Sequence, residues 1–381
     1  MVDFRLSSEQ EMLQQTAREF AEKEIRPVAS HHDRTGEYPL ELARKAWELG
    51  LVGTHIPEEY GGSGLGYLDA ALVAEELGWG CTGVWTALTV NNLAATPLLV
   101  AGSEEQKRRF LGPMKEEFWP ISYAVTEPSA GSDVRGIQTV ARRVGGDYVL
   151  QGEKMWITNA GKARWFFVLA YTDVEKGYKG MSGFIVPSDL DGVEVGKKEE
   201  TMGQRASDTR GVRFEEVRVP KENLVGSEGE GWSIVMETFD RSRPDIGAAA
   251  VGLARAAMEY ARDYAGERVA FGRPIYQHQG VGFMIADMAK DIDAARLLVW
   301  QAAWRKDQGM RNTLQAAYSK CFATDVAMRV AMDAVQIFGG YGFSKEYPVE
   351  KLMRDAKVMQ IYEGTNQIQR MIMVRELFQR R

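Results

Sequence analysis

From Ser7 to about Met114, apolar residues recur at helical intervals. SSEQEMLQQTAREFAEKEI opens with a spacing (Ser7 or Ser8 with Gln10 or Glu11) that predicts a capping box. Turn formers interrupt at HHDRTGEYP, GTHIPEEYGGSGLG and GWGCTG, so this stretch predicts a bundle of several short helices. From about Trp119 to Gly231 the period shortens. TVARRVGGDYVLQG, ARWFFVLAYT, MSGFIVPS and TRGVRFEEVRVP carry β-branched and aromatic residues between GG, DG, SD and PK turns, the pattern of an antiparallel sheet. From Ser233 the helical period returns in long pieces. Ile285, Met288, Ile292, Ala295, Val299 and Ala302 step by threes and fours, which places them on one face of a helix suited to an antiparallel bundle. The fold class read from this pattern is α+β: residues 1–119 form a helical domain, 120–231 a β domain and 232–381 a second helical domain.

Composition narrows the function classes. With 381 residues, 45% of them hydrophobic, the chain can bury a substantial core. A formal charge of −6 and a pI near 5.5 argue against a nucleic-acid binder. Cys81 and Cys321 are far apart in sequence and the chain has only four histidines, so neither a disulfide framework nor a metal site is expected. MVDFRLSSEQEML lacks the features of a signal or transit peptide. No uncharged apolar run approaches the roughly 20 residues needed to span a bilayer. The expectation is a soluble cytoplasmic protein, or an organellar matrix protein after removal of a presequence, without membrane insertion. GGSGLG, GSEGEG and GGYG do not match G-x-G-x-x-G, and P-loop, nucleophile-elbow and zincin motifs do not occur.

QIYEGTNQIQ, residues 360–369, places Glu363 between an aromatic and a glycine, with no basic neighbour until Arg370. Taken alone, an acid just ahead of a helix is favoured electrostatically and most glutamates are solvated.

The helix–sheet–helix order, with YAVTEPSAGSD (123–133), KMWITNA (154–160), FGRPIYQHQ (271–279), QIFGGYGFSKEYPVEKLMRDAK (336–357) and IYEGTNQIQ (361–369), resembles the FAD-dependent acyl-CoA dehydrogenase family over essentially the whole chain. It looks most like the medium-chain and short-chain branch. The resemblance implies a carboxy-terminal four-helix bundle and a homotetramer with FAD between domains and a neighbouring subunit. It implies α,β-dehydrogenation of an acyl-CoA to the trans-2-enoyl-CoA, with hydride passing to flavin N5 and electrons to electron-transferring flavoprotein. Glu363 matches the base that takes the α proton, and an apolar pocket would raise its pKa. Its backbone N–H would stabilise the enolate oxygen. Gly364 would let substrate and flavin approach the backbone, and Tyr362 would lie beside the base, although a packed core tyrosine fits equally.

For FAD, the family loop over the flavin ring corresponds to Tyr123 to Ser132. Thr126 would serve the N5 edge, and Ser132 would be shared with CoA. Trp156, Ile157 and Thr158 match the strand on the other side of the ring, although Trp156 alone reads as sheet core. Arg268, Phe271, Gln279, Gln336, Gly339 and Gly340 match positions that reach the FAD of an adjacent subunit. Thr365 and Gln367 match a helix start suited to a phosphate. Asp240 and Arg243 match the CoA-contacting segment, their plain alternative being a solvated helix start.

In relatives that carry the base on the helix corresponding to 243–254, the resemblance places it where this chain has Ala249. Asp245, after Pro244, reads as a first-turn helix acid. In the acyl pocket, Trp85 and Thr89 stand where the medium-chain branch has a glutamine and a glutamate. A tryptophan there predicts short to medium, or compact alicyclic, acyl groups. An acyl-CoA oxidase, which lets oxygen reach reduced flavin, is the alternative within the family; a scaffold that has lost catalysis is the alternative outside it.

Overall fold

The computed structural model describes residues 4–379. Helix α1 (Ser8–Phe20) starts at a capping box: Ser7 Oγ accepts from Gln10 N while Gln10 Oε1 accepts from Ser7 N. It runs on through one wide turn into α2 (Arg26–Thr35), which Gly36 ends in a left-handed conformation. Then come α3 (Leu40–Glu48), the long α4 (Tyr67–Ala101) and the short α5 (Glu104–Phe110). The turn signal at GWGCTG is real, but local: within α4, Cys81 alone adopts extended angles (φ −171°, ψ 118°), and helix resumes on the other side. α4 is also long and apolar enough to cross a membrane, yet 72% of its most apolar window is buried inside the protein. The expectation that no segment reaches that length is corrected in this respect: the apolar length exists, and protein covers it.

The sheet contains β1 (Ser122–Ala124), β2 (Val140–Val144), β3 (Asp147–Ile157), β4 (Trp165–Tyr171), β5 (Met181–Pro187), β6 (Val193–Lys198), β7 (Arg210–Val219) and β8 (Leu224–Val225), in the order β6-β7-β3-β2-β4-β5-β8 with β1 on β4. Most ladders are antiparallel, as the turns predict. β1 and the first residue of β2 instead pair parallel with β4 (Ser122 with Phe166, Val140 with Tyr171). The chain between β1 and β4 is long enough for the crossover that parallel pairing demands.

Four long helices and one short one complete the chain: α6 (Gly231–Glu267), α7 (Gln279–Asp307), α8 (Thr313–Phe338), α9 (Val349–Met359) and α10 (Asn366–Gln379), with a small β9–β10 ribbon (Val269–Ala270, Arg273–Pro274) before α7. Met288, Ile292, Ala295, Val299 and Ala302 are all buried on α7, the stripe their spacing predicts. The amino- and carboxy-terminal helices share one core. α4 and α6 cross in opposite directions at glycine contacts so tight that a β-carbon on Gly78 would lie 2.6 Å from Ala249 O, and one on Gly252 2.0 Å from Glu75 O. One face of the sheet packs on α4, α5 and the start of α6; the other face has its own aromatic core around Phe166, Phe184 and Phe214.

Candidate active site

Glu363 lies in the loop between α9 and α10, where the first third of α6 meets α8. Its backbone is left-handed (φ +51°), and Gly364 follows at +89°. Such a conformation costs a non-glycine residue free energy and persists only where the surroundings fix it. Here they do. Gln369 Nε2 donates to both Glu363 O (3.2 Å) and Gly364 O (3.0 Å), and Lys320 Nζ donates to Gly364 O (3.0 Å) and Asn366 Oδ1 (2.9 Å). Thr365 Oγ1 caps α10 by accepting from Ile368 N at 3.2 Å.

The carboxylate itself receives one hydrogen bond among the described residues, from Ser242 Oγ to Oε2 at 2.5 Å. Arg243 reaches only the backbone, Nε to Glu363 O at 3.5 Å, and pairs with Asp240 (3.0 Å). Asp240 is also held by Thr313 Oγ1 at 2.6 Å. Burial dominates the electrostatics of Glu363: it pushes the carboxyl up to about 7, with Asp245 adding in the same direction, while Ser242, Arg243 and Lys320 pull it back. The nearest basic residue in the sequence is Arg370, but α6 and α8 bring Arg243 and Lys320 near this acid, so it is not isolated from positive charge. Burial also drives the Lys320 ammonium down to about 7 against the pull of Glu363.

Tyr123 is stacked on Phe167 (5.3 Å between centroids), with its hydroxyl buried and unpartnered. Burial and the nearby Glu363 charge raise that hydroxyl well above its ordinary range. Tyr362, on the other side, receives a hydrogen bond from Gln204 Nε2 (3.3 Å), and Gln204 Oε1 accepts from Thr86 Oγ1 of α4 (2.8 Å). The α4 segment with Trp85 and Thr89 therefore runs beside Tyr362. Trp85 is buried with its indole N–H unpartnered, and Thr89 turns its hydroxyl back to Trp85 O.

Flat-ligand features gather at the end of β3. Trp156 has φ +64° and is 55% exposed, so it is not the sheet-core residue that an isolated strand aromatic suggests. Met155 N donates to Thr126 O at 2.9 Å, which joins the 123–132 loop to this strand end. Ile157 is buried, Thr126 and Thr158 are half-buried, and Ser132 is exposed. A further group lies exposed on the carboxy-terminal helices without touching Glu363: Arg268, Phe271 (96% exposed, φ +52°), Gln279, Gln336, Gly339 and Gly340. The Arg268 guanidinium lies 6.0 Å from the Tyr341 ring, which links its segment to the GGYG turn. Beside the start of α10, a cavity of about 470 Å³ is lined by Thr365, Gln367, Arg370, Lys357 and Asp325 among others.

Three family models match consecutive parts of the chain: the acyl-CoA dehydrogenase N-terminal domain at residues 7–117, the middle domain at 122–217 and the C-terminal domain at 229–378. The chain belongs to the acyl-CoA dehydrogenase family. It is 44% identical over 379 residues to a probable medium-chain specific acyl-CoA dehydrogenase of Caenorhabditis briggsae, covering 99% of this chain and 92% of that one. The solved structure of butyryl-CoA dehydrogenase from Megasphaera elsdenii superposes with a TM-score of 0.96 at 42% identity, over 99% of this chain and all of that one. An FAD complex of PigA superposes with a TM-score of 0.95 at 31% identity, over 100% of both chains. Membership makes this chain an FAD-dependent oxidoreductase. The exposed left-handed Trp156 beside the Thr126 loop fits that cofactor, as an aromatic side chain held out for a flat ring to cover.

Three readings of α6 are corrected. Pro244 does not begin a helix, and Asp245 is not a first-turn acid: both lie inside α6, which starts at Gly231. A proline there leaves the carbonyl of Asp240 without its helical donor, and Asn312 Nδ2 supplies one at 3.1 Å. For the same reason Asp240 and Arg243 are not a solvated helix start; Arg243 is buried. Nor does Ala249, matched to the relatives' alternative base, face Glu363. It packs against Gly78 of α4, and the α6 side chain that touches the Glu363 carboxylate is Ser242. Sequence reasoning missed Ser242, Lys320 and a buried pair, His55 Nε2 to Asp245 Oδ2 at 3.0 Å. None lies in a motif; only helix packing brings them together.

Proposed function

We propose that Glu363 takes the α proton of a short- to medium-chain, or compact alicyclic, acyl-CoA, giving the trans-2-enoyl-CoA. FAD, when bound, supplies the hydride acceptor at N5. The observation that carries this reading is the Glu363 carboxyl at about 7 with a single hydrogen-bond donor. Such a base is ionised enough at neutral pH to act and basic enough to attack a weakly acidic carbon. Its own backbone N–H, for which no acceptor appears among the described residues, is free to donate to the thioester oxygen as charge develops there. The tight Glu363–Gly364 loop keeps that donor and the carboxylate in fixed relation.

Thr126, Trp156, Ile157, Thr158 and Tyr123 would flank the flavin ring, and Ser132 would lie toward CoA, with Asp240 and Arg243 at the thioester end. Arg268, Phe271, Gln279, Gln336, Gly339 and Gly340 would meet the FAD of a neighbouring subunit, and Thr365 and Gln367 its phosphates. The near-complete exposure of Phe271 (96%) and Phe343 (90%) in the single chain supports a homotetramer that covers them. Buried Trp85 shortens the acyl space, which favours shorter chains. We place the enzyme in the cytoplasm or an organellar matrix, with electron-transferring flavoprotein as its acceptor.

The test is Glu363→Gln in the holoenzyme, mixed anaerobically with butyryl-CoA. The variant should stay yellow while flavin bleaching slows by about 10²- to 10⁴-fold. Bleaching at the parent rate overturns the assignment.

A further inference from the structure

Beyond the reacting carbons, the site contains polar atoms that the proposed chemistry does not use. Asp245 lies one turn after Ser242 on α6, so the two share a face, and Ser242 touches Glu363. Asp245 is 8% exposed; one carboxylate oxygen pairs with His55, and the other, Oδ1, is buried without a partner. Behind it His55 stacks on Tyr67 at 4.4 Å, which fixes the ring, and its Nδ1 is likewise unpartnered. Opposite stands α4. Because α4 and α6 run in opposite directions from the Gly78–Ala249 contact, stepping back along α6 to Asp245 and Ser242 means stepping forward along α4, past the Cys81 break, to Trp85. The Thr86–Gln204–Tyr362 chain independently puts this part of α4 next to the base loop. Trp85 is 3% exposed and its Nε1–H has no acceptor.

Buried polar groups without partners are uncommon in native proteins, because each forfeits the hydrogen bonds it made in water. Here the unpartnered acceptor on α6 lies one helical turn, roughly 5 Å, from the serine that touches Glu363, and the unpartnered donor belongs to the α4 segment beside Tyr362. One turn is about the reach of a short acyl chain. A purely hydrocarbon tail would leave both groups unsatisfied, whereas a hydroxyl can donate to a carboxylate and accept from an indole N–H.

Resting on the functional reading above, we infer that the acyl pocket selects acyl-CoA substrates bearing a hydroxyl group beyond the reacting carbons, with Asp245 as its acceptor and Trp85 as its donor. Asp245 is then a specificity residue held in place by His55, and the departure at Trp85 serves recognition as well as length.

The experiment compares kcat/KM of the holoenzyme for butyryl- and hexanoyl-CoA with their terminally hydroxylated counterparts. The better hydroxylated thioester should exceed its plain partner by about 10- to 100-fold, the value of a hydrogen bond to a charged group. The preference should collapse toward unity in Asp245→Val and fall in Trp85→Phe. A parent enzyme that prefers the plain chains, or a ratio unchanged in Asp245→Val, overturns the inference while leaving dehydrogenation intact. Failure of all four thioesters to bleach the flavin overturns the functional reading, and this inference with it.

Discussion

Glu127 is buried and Glu363 half-buried, both come from the motifs that carry the family likeness, and their carboxyls lie on opposite sides of the ordinary value. Glu127 accepts from Gln138 N (2.6 Å), Thr139 N (3.0 Å), Thr139 Oγ1 (2.6 Å) and Lys154 Nζ (2.9 Å). Burial pushes it up, but Lys154, Thr139 and Gln138 together outweigh burial and hold it below the usual carboxylate range. Among the described residues Glu363 has Ser242 alone hydrogen-bonded to its carboxylate, and burial wins. Burial therefore does not by itself raise a carboxyl; a shortage of donors lets it do so. Glu127 instead fastens the 123–132 loop to β3, the strand that presents Trp156.

The contrast breaks most visibly under like-for-like replacement. Glu363→Gln should remove about 10²- to 10⁴-fold of the bleaching rate and leave the fold intact. Glu127→Gln strands the fully buried Lys154 and should cost about 3–5 kcal/mol of stability in a denaturant titration, recovered in large part by adding Lys154→Met. Next, kcat/KM should rise with pH through about 7, because the base must be ionised. In Ser242→Ala that limb should move upward by about one unit, since the one donor that favours the ionised form is gone. An unmoved limb would show that Ser242 is packing only.

The smallest effect is on stability against pH. Native Glu363 holds its proton more tightly than the unfolded chain does, so its ionisation costs stability that accumulates as pH rises from 4.5 to about 7. Glu363→Gln should thus gain on the parent at pH 8 and lose that advantage near pH 4. Glu127 behaves oppositely: its contribution is present above 4.5 and is lost as pH falls through its depressed native value. Parallel slopes for the two glutamine variants would abolish the distinction.

Much of this was legible beforehand, and the reasons are physical. The α7 stripe could be read because one buried face imposes its period on the chain. Glu363 could be read because its partners in the motif are sequence neighbours. Asp245 was misplaced because proline ordinarily opens a helix, and nothing local reveals that Asn312 satisfies the carbonyl Pro244 abandons. Ser242, Lys320 and His55 were invisible because their roles exist only after α6, α8 and the loop before α4 have packed. Trp156 was ambiguous for a different reason: its exposure follows from a left-handed backbone that residue type does not forecast.

That backbone habit reaches further. Trp156, Phe271 and Glu363 all occupy angles that glycine would adopt without strain. A lineage selected only to survive heat would therefore drift toward glycine at these places, shedding tension at every step. On the roles proposed for these three residues, it would arrive at a tougher chain that had given up its colour and its chemistry together.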